Sequence, residues 1–488
     1  MVQRSGMRWF DIVLGQGLQC GYSPPSYHNK EKYMNLDLTT RLEAATKFID
    51  RWLAHKLYID RLPGLSVGIV YGDKILFKKG YGYANLEQQV KASETTCYRI
   101  ASFSKIFTAL AVMHLFEQGK LHLDDRVQQY LPWFSSEQAP QTAQITLRQL
   151  LTHTAGLDRD GVTPHWVDYR FPELQEIQRH IAEGGLSYTP ATVWKYSNVG
   201  YTLLGEVVRA VSGLAYEEYV TEHVVKPLGM THTAPVLTEA ITQQLALGYS
   251  RNLPEQGREP FPHIETHVMA SATGFSSNVV DLCQLIMAQF EGDTRLLRDE
   301  TKREMRRIQW LRKEGDADWC LGFETWKVNQ QRYYGHGGSF QGYRSRFGFD
   351  PERKVGVVVL VNAMDVRAGD LLQGALQIID YVITHWDELA QDAVQSEHIE
   401  GYEGMFRSVW GDVASVTLNN SVNLFNLGAP NPLLGLSRLH HEGGHRFTMV
   451  DGNSIDHIGE PVSFVCDEQG VAQHLFVGPD PSERFELP

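Results

Sequence analysis

Cysteine is scarce in this chain. Five are spread over 488 residues, at positions 20, 97, 283, 320 and 466. No Cys-x-x-Cys pair occurs, so neither a disulfide framework nor a zinc site is suggested. His-Glu-x-x-His and dinucleotide fingerprints are also missing, and neither a metal nor a cofactor is expected. No apolar run approaches the ~18 residues that a membrane-spanning helix needs. Basic residues are the minority: 45 Lys and Arg stand against 58 Asp and Glu, a net charge of −13. That balance argues against nucleic acid and anionic membranes as partners. Near the N-terminus, Asp11 and Gln16 break the apolar stretch that a secretory leader requires. Cys20 lacks the spacing of a lipoprotein site. The reading is a cytoplasmic protein, or an exported one if a signal has already been removed.

What is present is ample apolar material, 42% of the residues, in a chain too long for one compact domain. The most informative string is Ser102-Phe103-Ser104-Lys105. Residues three apart share a helix face, so Ser102 and Lys105 project into the same space. A serine hydroxyl needs a neighbouring base to become a nucleophile. A lysine supplies one when burial lowers its pKa. From Ile106 to Phe116 the apolar residues cover nearly the whole helix surface, as in a central, buried helix. An ordinary helix start with a solvated lysine fits such surroundings poorly.

A second polar element is Tyr196-Ser197-Asn198, ahead of a helical pattern carrying Leu204, Val207, Val208 and Val211. Ser197 or Asn198 can serve as that helix's N-cap. Equally, a tyrosine beside a lysine can exist as phenolate and move protons, and an asparagine amide can grip a carbonyl or orient the lysine. The third element is Gly335-His336-Gly337-Gly338-Ser339, followed by strands from Tyr343 to Phe349 and from Val355 to Val361. A glycine-rich edge strand admits a substrate backbone at close range and can pair with an extended peptide. A plain hairpin with a surface histidine is the competing reading. Strand alternation puts Arg344 and Arg346 on one face. They are expected as exposed hairpin charges, with carboxylate binding as the alternative.

In this order and spacing the three elements resemble the serine β-lactamase and penicillin-recognising hydrolase superfamily. The likeness is to its class C β-lactamase, D-Ala-D-Ala carboxypeptidase and D-aminopeptidase branch, peptidase family S12. Leu150–Leu157, Lys226–Thr233 and Ala272–Ser277 with Asp281-Leu282 match further family blocks, and the similarity covers about Leu42 to Trp386. The resemblance implies an acylated nucleophile at Ser102 and a base at Lys105, acting directly or through Tyr196. It implies Tyr196 as base and then acid, and Asn198 as the ligand of the substrate amide. His336 stands where the family places lysine or histidine, and would bond Tyr196 or a substrate carboxylate. Gly338 and Ser339 line the oxyanion region, where the N–H groups of Ser102 and Ser339 would bind. A histidine titrates near pH 6.5 unless perturbed, so activity is expected to rise between about pH 6 and 8. Family relatives are often exported, which weighs against the cytoplasmic reading.

Residues 1–36 read as an extension, with Pro24-Pro25 marking irregular structure. The implied fold for 37–390 is α+β: an antiparallel sheet flanked by helices, plus a helical subdomain at about 110–325. The first helix carries Leu42, Ala45, Ile49, Trp52 and Leu53, with Thr40 and Glu43 spaced as a capping box. From 397 to 488, short alternating strands predict a small β-barrel or sandwich. The span Tyr402–Phe406 resembles the opening of a lipocalin-like domain. In relatives this domain supports a homo-oligomer or closes the cleft; an independent stabilising module is the alternative. His440, His441 and His445 form the densest histidine group, without the carboxylate spacing of a metal site. The functional expectation is a serine hydrolase acting on small or D-amino-acid-containing peptides. A carboxylesterase, a β-lactamase and a non-catalytic assembly or sensor protein are the alternatives. Fold resemblance alone does not choose between them.

Overall fold

The computed structural model describes residues 27–313, 317–394, 398–429, 431–452 and 458–487, with side chains from residue 37. Cys20, Pro24-Pro25 and the boundary near Glu397 lie outside the described residues. Helix α1 spans Tyr27–Ile59. Thr40 therefore sits inside the helix and does not cap it. The capping-box reading is corrected: the helical pattern continues upstream of the apolar stripe that suggested its start.

Two runs are apolar at nearly every position, β1 (Gly64–Tyr71) and β10 (Val355–Val361), and both are almost wholly buried. Strands with no polar face need cover on both sides. They form the central antiparallel pair of the sheet, with Gly68 opposite Val358. The flanking strands are β2 (Lys74–Asn85) and β3 (Val90–Lys91) on one side. On the other come β9 (Tyr343–Asp350), β8 (Gln331–Phe340), β7 (Glu324–Val328) and β6 (Asp318–Trp319). The short strands β4 (Tyr98–Arg99) and β5 (Ser276–Ser277) pair separately.

Helices cover both sheet faces. Helix α2 is Ser104–Glu117, α3 is Asn198–Ser212, α4 is Val279–Met287 and α5 is Ala368–Leu389. On one face lie α1 and α5, whose Trp52 and Gly374 meet. Helix α4 packs on β1 and β10. Its Cys283 sulfur fills the place beside Gly68 where a Cβ would come within 2.6 Å. The expected helical subdomain is therefore not continuous to residue 325, because α4 returns to the sheet. Helix α2 is buried along most of its length, as its all-round apolar surface predicts.

The C-terminal strands close into an eight-stranded antiparallel barrel. They are β11 (Gly404–Ser408), β12 (Gly411–Leu418), β13 (Ser421–Asn426), β14 (Ser437–Gly443), β15 (Arg446–Gly452), β16 (Pro461–Cys466), β17 (Ala472–Val477) and β18 (Asp480–Phe485). Closure comes from pairing of β11 with β18. The three histidines are spent separately: His440 pairs with Asp392, His441 bonds Gly444 O, and His445 bonds the Tyr402 hydroxyl. Cys97 is buried, and burial, with Asp281 nearby, pushes its thiol up to about 12. No helix among the described residues is long and apolar enough to cross a membrane.

Candidate active site

Ser102 lies in a tight 3-10 turn, Ala101–Phe103, immediately before α2. Ala101 has φ +55°, a conformation that costs an alanine about 1–2 kcal/mol. The turn is held from several sides. Ile100 N–H donates to Phe275 O at 2.9 Å, and Ser345 Oγ–H donates to Ile100 O at 2.7 Å. One turn on, Lys105 is fully buried, its Nζ 3.2 Å from Ser102 Oγ. The amine also donates to Asn198 Oδ1 at 2.6 Å and to Ala272 O at 2.8 Å. Burial drives the Lys105 pKa well below its ordinary value; the Asp160 carboxylate opposes this and Arg159 adds to it. A neutral amine is the form that can take a proton from serine.

Tyr196 and Asn198 flank this pair. Ser197 caps α3, its Oγ accepting from Gly200 N–H at 2.9 Å. The cap and the polar face coexist, because the cap uses only Ser197. Burial raises the Tyr196 pKa, although Ser102 acts on the phenol in the opposite sense. Burial thus favours the protonated phenol over the phenolate that a neighbouring lysine can support. Asn198 turns its carbonyl oxygen to Lys105 and donates from Nδ2 to Asp160 Oδ1 at 2.5 Å. One of its amide hydrogens is thus already committed.

The glycine-rich strand is β8. It pairs with β7 from Gln331 to Gly335 and with β9 from Tyr334 to Phe340, so from His336 onward β9 is its one partner strand. On the side away from β9, that second half is an edge. At Gly338 a Cβ would lie 2.1 Å from Ile100 O, so glycine is what lets β8 reach the Ser102 turn. Gly338 and Ser339 line the cleft beside Ser102. His336 lines it too, yet is 2% exposed. Its Nδ1–H donates to Gly337 O at 2.5 Å, and its ring stands edge-on to Trp319. Burial, with the Glu324 carboxylate opposing, pulls its pKa down to about 4. This corrects two expectations: His336 does not titrate between pH 6 and 8, and it is not a surface residue.

The cleft encloses about 620 Å³. Arg344 and Arg346 line it, which corrects their reading as exposed hairpin charges. Arg344 donates to the backbone carbonyls of Phe340, Tyr343 and Met364. Arg346 pairs with Glu324 at 3.1 Å and stacks over Trp326. Sequence reasoning missed an aromatic wall and a carboxylate. The His153 ring lies 4.3 Å from that of Tyr196, and its Nδ1 accepts Ser197 N–H at 3.1 Å. Trp319 contacts His153, Trp194 and His336. His153 stands in the family block Leu150–Leu157, and Asp160 lies three residues past the end of that block, but neither carries a local signal of its role.

The β-lactamase family profile matches residues 49–378. The protein Flp of Staphylococcus aureus (strain MW2) is 31% identical over 318 residues, 64% of this chain and 62% of that protein. The match thus spans less than two thirds of that relative's length. An Escherichia coli (strain K12) protein named as a candidate D-alanyl-D-alanine carboxypeptidase is 30% identical over 318 residues, 58% of this chain and 71% of its own. Among solved structures, the octameric penicillin-binding protein homologue from Pyrococcus abyssi superposes with TM-score 0.61 at 22% identity. That superposition covers 90% of this chain and 99% of the other, so the shared fold extends into the barrel. Fold, motifs and the extent of the profile match agree: the chain belongs to the β-lactamase family of hydrolases.

Proposed function

We propose that this chain is a serine hydrolase that forms an acyl-enzyme on Ser102 and cleaves small peptide amides. The observation that carries this reading is the buried Lys105 amine 3.2 Å from Ser102 Oγ, in a site that favours the neutral amine. Lys105 takes the hydroxyl proton as Oγ attacks the substrate carbonyl. The backbone N–H groups of Ser102 and Ser339 bind the oxyanion; such a donor is typically worth about 100-fold in rate. Tyr196, kept protonated by burial, gives its proton to the leaving nitrogen and is reprotonated from Lys105. Water then cleaves the ester by the reverse sequence, releasing an acid and restoring Ser102. Asn198 offers its second amide hydrogen to the substrate carbonyl.

The cleft's charge supports a substrate with an anionic end. Arg159, Arg344, Arg346 and Arg367 line it against Glu324. His336, neutral above about pH 4, is an acceptor at Nε2 and does not supply the cation that a lysine there would. The Escherichia coli relative's name supports a D-amino-acid peptide as that substrate. The octameric archaeal relative, which shares the fold through the barrel, supports a homo-oligomer.

The test is intact-mass analysis after exposure to a fluorophosphonate and, separately, a penicillin, with Ser102→Ala as control. A single adduct on Ser102 that the alanine variant lacks is expected. Screening then compares D-residue peptides with and without a free carboxylate, and simple esters. Folded protein that takes up neither reagent sinks the catalytic reading in favour of an assembly or sensor protein.

A further inference from the structure

We propose that Asp160 is a positioning residue for acylation: its carboxylate fixes which way round the Asn198 amide sits, and that amide holds Lys105 on Ser102. The inference rests on the acyl-enzyme reading above. The relay is continuous. Asp160 Oδ1 accepts from Asn198 Nδ2 at 2.5 Å, Asn198 Oδ1 accepts from Lys105 Nζ at 2.6 Å, and Lys105 Nζ lies 3.2 Å from Ser102 Oγ.

An amide's oxygen and nitrogen have nearly the same shape, so packing alone does not choose between its two orientations. An ionised carboxylate only accepts hydrogen bonds. It therefore selects the orientation that aims Nδ2 at itself and the carbonyl at Lys105. Burial pushes the Asp160 carboxyl up, but the nearby His165 ring, the Asn198 hydrogen bond and the Arg159 charge together outweigh it and hold it below the usual range. It stays a pure acceptor at neutral pH.

The consequence for Lys105 follows from counting hydrogens. A neutral amine has two N–H groups and one lone pair. Ala272 O and Asn198 Oδ1 accept from the two N–H groups. The lone pair is left for Ser102, ready to receive its proton. A flipped amide would set NH2 against N–H, remove one acceptor and release the amine to turn.

The charge of Asp160 also reaches Lys105. Lys105 faces the rings of Tyr196 and Tyr201 and the fields of Asp160 and Arg159, and His153 and His336 lie close enough to feel it. Asp160 faces Arg159 Nε at 3.2 Å and His165 Nε2 at 3.8 Å. Among the groups acting on the Lys105 pKa, Asp160 is the one that raises it. Its neutral replacement lets that pKa fall further, so the low-pH limb of reaction moves to lower pH.

The test is the rate of fluorophosphonate labelling of Ser102 against pH, with thermal unfolding of each protein as the check on folding. The proteins are the parent chain, Asp160→Asn, Asp160→Glu, Asn198→Ala and the Asp160→Asn/Asn198→Ala double variant. Asp160→Asn is expected to label about 10- to 100-fold more slowly, with its low-pH midpoint shifted down. In the Asn198→Ala background the same substitution is expected to cost nothing more, because Asp160 acts through that amide. Asp160→Glu keeps the charge but misplaces the oxygen, and is expected to label slowly with a midpoint near the parent's. It carries the test if the Asn variant does not fold. Parent-like labelling and midpoint in Asp160→Asn, or additive losses in the double variant, overturn the inference while leaving Ser102 as the nucleophile. A parent chain that does not label overturns both.

Discussion

His336 shows how far one side chain can depart from its sequence-level reading. Taken alone, a histidine in a glycine-rich strand titrates near neutrality. Folded, it is buried beside Trp319 and its pKa drops to about 4. Two outcomes follow. First, the pH–rate profile between 6 and 8 keeps its shape in His336→Gln, whatever the change in rate, because no proton is exchanged there. A histidine-dependent limb in that window would refute this. Second, the sign for stability is set by the unfolded chain, which binds a proton near pH 6.5 that the folded chain refuses until about pH 4. Unfolding free energy therefore rises with pH across that window. His336 contributes roughly 3 kcal/mol, at about 1.4 kcal/mol per pH unit. His336→Gln should flatten that slope in denaturant titrations repeated from pH 4 to 7. The Ser102–Lys105 pair was legible because three-residue spacing is local geometry. The pKa of His336 was not, because its main cause is burial, which comes from residues distant in sequence such as Trp319.

Strand β8 carries the element-scale argument. Its motif was legible as a glycine-rich strand, and its edge character holds for the half from His336 onward. What the sequence did not show is that Gly338 faces protein, not only substrate. The Ile100 carbonyl, locked by Ser345, occupies the space of a side chain there. Gly338→Ala must push β8 away from the Ser102 turn or tilt the turn itself, since 2.1 Å is far inside contact. The separation of the Ser102 and Ser339 N–H groups would open with it. Labelling of Ser102 is expected to fall roughly 100-fold, the order that a 1 Å misplacement costs. Ser339→Ala keeps the backbone N–H and should label at close to the parent rate. Parent-like labelling of Gly338→Ala would mean that β8 does not set the oxyanion geometry. The strained Ala101 and the cap at Ser197 belong to the same pattern. In each, ordinary backbone chemistry aims a neighbouring side chain into the cleft.

At the scale of the whole molecule, the question is whether the barrel is an independent module or part of the hydrolase. The alternating strands foretold a barrel or a sandwich. They did not foretell closure, because β18 is polar and begins Asp480-Pro481, and its pairing with β11 spans most of the domain. Nor did they foretell how the barrel meets the sheet domain. One helix, α1, serves both. Its Trp52 packs on α5, while Phe48 meets Phe425 of the barrel with ring centroids 3.8 Å apart. Alongside, Arg51 pairs with Glu403, and the buried His55 bonds Asp412 at 2.9 Å. An apolar contact flanked by partly buried polar pairs couples the two domains' stabilities, since opening it returns buried apolar surface to water. Phe48→Ala should therefore cost about 3–5 kcal/mol. It should also split the calorimetric unfolding, giving the barrel its own earlier transition where the parent shows one. If the variant instead unfolds with the parent's midpoint and shape, the barrel stands alone and α1 belongs to the hydrolase only.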